Sequence, residues 1–261
     1  MARMKHYDGQ VAVVTGASSG LGRRLALDLA DRGAAVVAVA RSKDALDDLA
    51  AASGGRIAVA PCDVSDEPAL AALLGAVEAE RGRVDILVNS AGWEQPTRVE
   101  ESDVDLYHRI FATNFFGLVT ATVAVVPGML QRRHGIVVNV SSDHGRAPAP
   151  GTPAYSSSKA AVSAFTESLA HECNGRGVHL HVLYPGWVPT GLGQGAVDRG
   201  MPKPPRLVRR TEAQVSSATL QAMGGPSFEI NCARAATLAP VMRALAPGIY
   251  RSQMRKQANR S

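Results

Sequence analysis

Tyr155 and Lys159 stand four residues apart, and Ser142 stands thirteen residues before Tyr155. On a helix, positions i and i+4 share one face, so the phenol and the ammonium would point the same way. A phenol ordinarily loses its proton near pH ~10. A neighbouring ammonium favours the phenolate and lowers that value. A serine hydroxyl brought beside the phenol can hydrogen-bond a carbonyl or alcohol oxygen. Together the three would form a proton-transfer centre that needs neither metal nor histidine. A Tyr-x-x-x-Lys spacing also arises by chance, so its weight comes from the elements around it.

Those elements follow a regular alternation. Short apolar runs predict strands over 11–14, 34–40, 57–60, 84–88, 136–140 and 178–183. Between them the pattern predicts helices. The first carries Leu21, Leu25, Leu29 and Ala30 and stops at Gly33; the others cover 43–52, 67–81, about 102–130 and 153–173. Buried-type strands alternating with helices indicate an α/β fold, a single Rossmann-like doubly wound parallel sheet with helices on both faces. The whole chain, 1–261, reads as one domain, with 186–261 as a substrate loop and variable C-terminal region within it. Residues 186–205, rich in Gly and Pro, read as a mobile loop. A helix over 211–223 with Thr211 as N-cap follows, then a short strand over 228–230. Leu238, Val241, Met242, Leu245 and Ile249 are spaced for an amphipathic helix, interrupted by Pro240 and Pro247.

The first strand runs into Thr15-Gly16-Ala17-Ser18-Ser19-Gly20-Leu21-Gly22. Glycines there let the backbone pass close to a pyrophosphate, and the helix that follows offers free N–H groups and a positive dipole end. Gly16, Ser18, Ser19, Gly20 and Leu21 are the candidate contacts.

With this turn, the chain resembles the short-chain dehydrogenase/reductase family in its standard form of about 250 residues. The resemblance covers 9–190. It rests on the Thr15–Gly22 turn, Asp63-Val64, Asn89-Ser90-Ala91-Gly92, Asn114, Ser142, Tyr155-x-x-x-Lys159 and Pro185-Gly186, in that order. The family implies that Tyr155 is the acid/base at the substrate oxygen. Lys159 would lower the Tyr155 pKa and hold the nicotinamide ribose, and Ser142 would polarise the substrate oxygen. Asn114 would keep a water linking Lys159 to solvent. Ser141 competes with Ser142, but Ser142 fits the family spacing to Tyr155 and Gly145; Ser156, Ser157 and Ser158 are read as helix-surface or cofactor-side residues. Asp63 and Val64 would meet the adenine. Asn89, Ala91 and Gly92 would flank the adenosine. Pro185, Gly186, Val188 and Thr190 would contact the nicotinamide. Where relatives that use NAD carry an acidic residue after the second strand, this chain has Arg41 and Ser42. A guanidinium suits a 2′-phosphate, which favours NADP(H).

The family-level expectation is an NADP(H)-dependent enzyme interconverting a ketone and a secondary alcohol. Two alternatives stand beside it: a redox-neutral epimerase or dehydratase on the same fold, and a nucleotide-binding regulatory protein without turnover. Trp93 and Trp187, the chain's two tryptophans, would wall an apolar or aromatic substrate pocket. His144, Glu94 and Gln95 are further polar candidates there. The missing Gly-Gly after the last strand weakens the inference of the common tetramer, and a homodimer through the helices near 102–130 and 153–173 is the other expectation.

Bulk properties narrow the setting. No apolar run approaches eighteen residues, and neither a signal peptide nor a transmembrane helix is expected. Cys62, Cys173 and Cys232 have no CxxC spacing and read as free thiols of a cytoplasmic protein, with no metal site. Residues 199–261 hold eleven Lys/Arg against two Asp/Glu, a net of +9 in a chain of net +5, so the first 198 residues sum to −4. The basic tail is read as a solvated surface, an anion-binding region or a membrane-surface contact, with nucleic acid disfavoured.

Overall fold

The computed structural model describes residues 6–198 and 203–258. Runs of valine, alanine and isoleucine form β1 (Val11–Thr15), β2 (Ala35–Ala40), β3 (Ile57–Pro61), β4 (Ile86–Asn89), β5 (Gly135–Val140), β6 (Val178–Tyr184) and β7 (Glu229–Asn231). They make one sheet in the order β3-β2-β1-β4-β5-β6-β7, each neighbouring pair parallel. The helices are α1 (Gly20–Asp31), α2 (Lys43–Ala52), α3 (Glu67–Arg81), α4 (Val104–Phe111), α5 (Gly117–Arg132), α6 (Asp143–Arg146), α7 (Pro153–Cys173), α8 (Gly191–Asp198), α9 (Glu212–Ala222), α10 (Leu238–Leu245) and α11 (Pro247–Ala258).

Successive strand residues point to opposite faces. Val14 thus joins Leu25, Leu46, Val138 and Leu220 in one apolar layer, while Val13 joins Leu74, Val125, Met129 and Leu180 in the other. The doubly wound α/β sheet is as expected. Strand order reverses between β1 and β4, and a crevice opens at the carboxyl ends of the strands at such a point.

The helix expected over 102–130 is continuous but not uniform. Between α4 and α5 lies a π-helical turn, Ala112–Phe116. Such turns are often found at functional sites, and this one contains the fully buried Asn114. The combined helix Val104–Arg132 has 29 residues and a window of mean hydropathy 1.7. Length and composition alone would let it cross a membrane, a test that the core helix of a folded domain also passes. Its apolar character serves the core here: Ala121, Val125, Val126 and Met129 pack in the layer over the sheet.

Three other expectations change. The stretch read as a loop contains α8, opened by the Thr190 hydroxyl accepting from Gly193 N at 3.3 Å; residues 199–202 of that stretch lie outside the described residues. A four-residue helix, α6, follows β5. The C-terminal amphipathic segment is two helices, because Pro240 falls in the first turn of α10 and Pro247 opens α11, where a missing N–H is tolerated.

A buried polar chain ties the sheet to its helices below the crevice. Asn89 Nδ2 donates to Asn139 Oδ1 at 2.9 Å and to Thr122 Oγ1 at 3.1 Å. Asn139 Nδ2 donates to Thr166 Oγ1 at 3.0 Å. Removing one partner strands the others in a dry interior. Asn139→Ala is expected to lower the unfolding free energy by about 2 kcal/mol in urea titrations, against a much smaller change for an exposed site.

Candidate active site

A cleft of about 750 Å³ runs along the carboxyl edge of the sheet, from Arg41 and Asp63 at one end to Tyr155, Trp187 and Tyr250 at the other. Its middle is built for an anion. Gly16 has φ of +68°, and a Cβ there would lie 2.6 Å from Ala91 N, so only glycine fits against the turn after β4. That turn is held by Thr15 Oγ1, which accepts from Ser90 N at 3.2 Å and Ala91 N at 3.3 Å. The α1 N-cap, Ser19, makes no side-chain capping bond, and the first turn of α1 has no acidic residue. Backbone N–H groups at that end are left for a bound anion. A dinucleotide fits these features.

Most of the sequence-predicted residues line the cleft: Gly16, Ser18, Ser19, Gly20, Leu21, Arg41, Asp63, Val64, Ala91, Gly92, Ser142, Tyr155, Lys159, Pro185, Gly186, Val188 and Thr190. Ser42, Asn89 and Asn114 do not. The Ser42 hydroxyl caps α2, accepting from Ala45 N at 3.3 Å. Asn89 is spent in the polar chain beneath the floor. At the adenosine end, Arg41 Nη1 lies 3.9 Å from Asp63 Oδ2, both side chains well exposed. Burial opposes the Asp63 charge, but hydrogen bonds from the Ser65 amide and hydroxyl, helped by Arg41, hold its carboxyl below the usual value.

The end of the cleft that holds Ser142, Tyr155 and Lys159 is set by α7. Tyr155 and Lys159 are both buried on its inner face. Lys159 Nζ donates to Val140 O, at the end of β5, at 2.8 Å, and lies 5.9 Å from the Tyr155 ring centroid. Ser142 starts α6, its hydroxyl accepting from His144 N at 3.2 Å. Ser141 is excluded by its bonds: its hydroxyl donates to Lys159 O at 2.9 Å and meets Ser163 Oγ at 2.8 Å.

The electrostatics depart from the expectation. Burial raises the Tyr155 phenol well above its usual value, the Glu94 charge adds to this, and a hydrogen bond with Ser142 works against it. Burial also pushes the Lys159 ammonium down to about 8, with Glu94 opposing. Burial thus outweighs any lowering of the phenol by Lys159 here. Desolvation dominates, because both groups lost water and the ammonium is turned toward a carbonyl.

Asn114 works from behind the wall. Its Oδ1 accepts from Trp93 N at 2.9 Å, and its Nδ2 donates to Trp93 O at 3.0 Å and Ser158 Oγ at 3.2 Å. It clamps the loop after β4 to α7. Ser158 and Ser156 are buried, while Ser157 is exposed, so only Ser157 is a helix-surface residue. Trp93, Glu94, His144 and Trp187 line the cleft, and Gln95 does not. The His144 ring sits edge-on to Tyr155, centroids 6.0 Å apart, and burial holds its imidazole below the usual value. Sequence reading missed Thr113, Lys203, Tyr250, Met254 and Gln257 as lining residues. The tail's apolar spacing picked out Leu238, Val241, Met242, Leu245 and Ile249, none of which lines the cleft, and gave no signal for Tyr250 or Met254.

Comparison with known proteins agrees with this architecture. The short chain dehydrogenase family model matches residues 10–199. A short chain dehydrogenase of Pseudocercospora fijiensis is 41% identical over 190 residues, 71% of this chain and 62% of its own length. The 3-oxoacyl-(acyl-carrier-protein) reductase of Escherichia coli is 33% identical over 74% of this chain and 79% of its own. A solved short chain dehydrogenase/reductase from Burkholderia phymatum in complex with NAD superposes with a TM-score of 0.82 at 28% identity, covering 94% of this chain and 96% of that one.

The depressed Lys159 value has a consequence for stability. The unfolded chain keeps this proton to higher pH than the folded chain does. Burying the ammonium therefore costs most below about pH 8, and the cost is relieved as pH rises from there toward the ordinary lysine value. Lys159→Met removes that cost. Its stability advantage over the parent is expected to be largest near pH 7 and to shrink between pH ~8 and ~10, as measured by denaturant titration at each pH.

Proposed function

The chain belongs to the short-chain dehydrogenase family of oxidoreductases, and from that premise we propose that it is an NADP(H)-dependent reductase interconverting a ketone and a secondary alcohol. One observation carries the reading: Ser142, Tyr155 and Lys159 meet in the cleft that also holds the uncapped start of α1. Gly16, Ser18, Ser19, Gly20, Leu21, Asp63, Val64, Ala91, Gly92, Pro185, Gly186, Val188 and Thr190 would hold the cofactor, with Arg41 at its 2′-phosphate. The nicotinamide, when bound, supplies or accepts the hydride.

The protein's own residues handle the substrate oxygen. Ser142 donates a hydrogen bond to it, and Tyr155 gives it a proton in reduction or takes one in oxidation. A phenol raised by burial holds its proton at neutral pH and is ready to act as the acid. Lys159 is cationic below about pH 8 and stabilises negative charge in the cleft. Asn114 positions the Trp93 backbone and α7. Trp93, Trp187 and Tyr250 exclude water around an apolar or aromatic substituent on the carbonyl.

The reading extends to assembly and setting. Phe116 and Val123, seven positions apart, leave an apolar strip exposed on the helix Val104–Arg132, and a homodimer through this helix and α7 would cover it. Three unpaired cysteines suit a reducing cytoplasm.

Tyr155→Phe is expected to lower ketone-dependent NADPH oxidation by about 10²–10⁴-fold while NADPH still binds in fluorescence titrations. Full turnover by this variant, or no absorbance change across a ketone and alcohol panel with the parent, contradicts the redox mechanism. Arg41→Ala is expected to weaken NADPH binding about tenfold and leave NADH binding unchanged, since a charge-assisted contact is lost only for the phosphorylated cofactor.

A further inference from the structure

We propose that the α10–α11 hairpin docks on an anionic lipid bilayer through its outer face. Among the described residues, nine large hydrophobic side chains are exposed, and five of them sit together in this region: Leu207, Leu238, Val241, Leu245 and Ile249. Leu238, Val241 and Leu245 follow a three-four spacing along one side of α10, and Ile249 continues it into α11, which packs against α10. The short turn bearing Leu207 packs on the turn that leads into α10. Leu245 is 82% exposed and Leu207 74%. α10 buries none of its eight residues, so its apolar side is not explained by the protein's own core.

Charge selects the occupant. No Asp or Glu follows Glu229 in the sequence, and Glu229 itself is paired with Arg146. Arg234, Arg251, Arg255 and Lys256 of the same segment are all exposed. A second copy meeting this face two-fold would bring like charge onto like charge. Nucleic acid would set phosphates against five aliphatic side chains. A bilayer with anionic headgroups satisfies both features: cations meet the headgroups while the aliphatic strip enters the acyl boundary. The inner side of the same hairpin, at Ala239, Tyr250 and Met254, lines the cleft. Docking would therefore set the substrate cleft close to the lipid surface.

Co-sedimentation of the full chain with phosphatidylserine–phosphatidylcholine vesicles, and with phosphatidylcholine vesicles alone, tests this without any catalytic readout. The parent is expected to sediment with the anionic vesicles, to lose most of that binding in high salt, and to bind neutral vesicles far less. The double variant Leu238→Glu/Leu245→Glu is expected to lose more than about tenfold in partitioning per leucine replaced, with an unchanged thermal midpoint and an unchanged molar mass by light scattering. Three results overturn the proposal: no preference for anionic vesicles, undiminished binding by the double variant, or a drop in its molar mass in lipid-free buffer. The last would assign the face to contact between copies.

Discussion

The close seating of α7 on the end of β5 is the contact on which the candidate site depends, and it is concentrated at Lys159. The side chain of that residue donates to Val140 O. Its own carbonyl accepts from Ser141 and Ser163 hydroxyls. The α6 turn lies so close that a Cβ on Gly145 would be 2.8 Å from the Lys159 carbonyl. Strand end, short helix and long helix are therefore locked at one point. Tyr155 lies one helical turn before it, and Ser142 lies between the strand end and α6. The loop after β4 is tied to the same assembly by Asn114, which bonds both Trp93 and Ser158. The π-helical turn contains Asn114, whose amide makes both bonds while fully buried. The wall carrying Ser142, Tyr155 and Lys159 is thus fixed by the protein's own contacts before any ligand arrives.

That seating removes the key groups from water, and the electrostatics follow. One cause moves phenol and ammonium in opposite directions, because burial disfavours the charged form of each. The pair spacing suggested that lysine would acidify tyrosine. The structure ranks desolvation first, since the ammonium is directed to a backbone carbonyl and is itself depressed. Glu94 pushes both groups upward from the cleft wall. The outcome is a tyrosine that keeps its proton and a lysine whose charge is adjustable near physiological pH. Any anionic group entering the cleft would favour the charged ammonium.

Much of this was legible in the sequence because its signals are local. The helices expected over 43–52, 67–81 and 153–173 are α2, α3 and α7 with those bounds. The glycine turn and the Ser142, Tyr155 and Lys159 set were readable from spacing and from family resemblance. What escaped depends on packing. The π-helical turn leaves no mark on periodicity over so few residues. Asn89 lies in a turn motif yet spends its amide on Thr122 and Asn139, partners fixed only by the tertiary fold. Ser42 serves as a cap, which its sequence position allowed as readily as a phosphate contact. Burial of Tyr155 and Lys159, and so the direction of their shifts, is a property of the closed wall and of no single residue.

The two sides of the cleft are held in different ways. The side carrying Ser142, Tyr155 and Lys159 is anchored in the sheet and lies within the stretch matched by the family. The far side hangs on a few links. Trp187 pairs by backbone with the 208–210 segment, Tyr250 donates its hydroxyl to Pro148 O at 2.8 Å, and Arg243 reaches Arg146 O at 2.7 Å. Two of these links reach the end of α6 and the residues just after it, the third reaches the loop after β6, and none bonds Lys159 itself. Changes in shape or polarity along α10 and α11 alter the far wall of the cleft without removing any bond made by Lys159. The same looseness explains why α10 keeps its apolar side outward: a helix attached at its ends and along one edge has no core of its own to bury it.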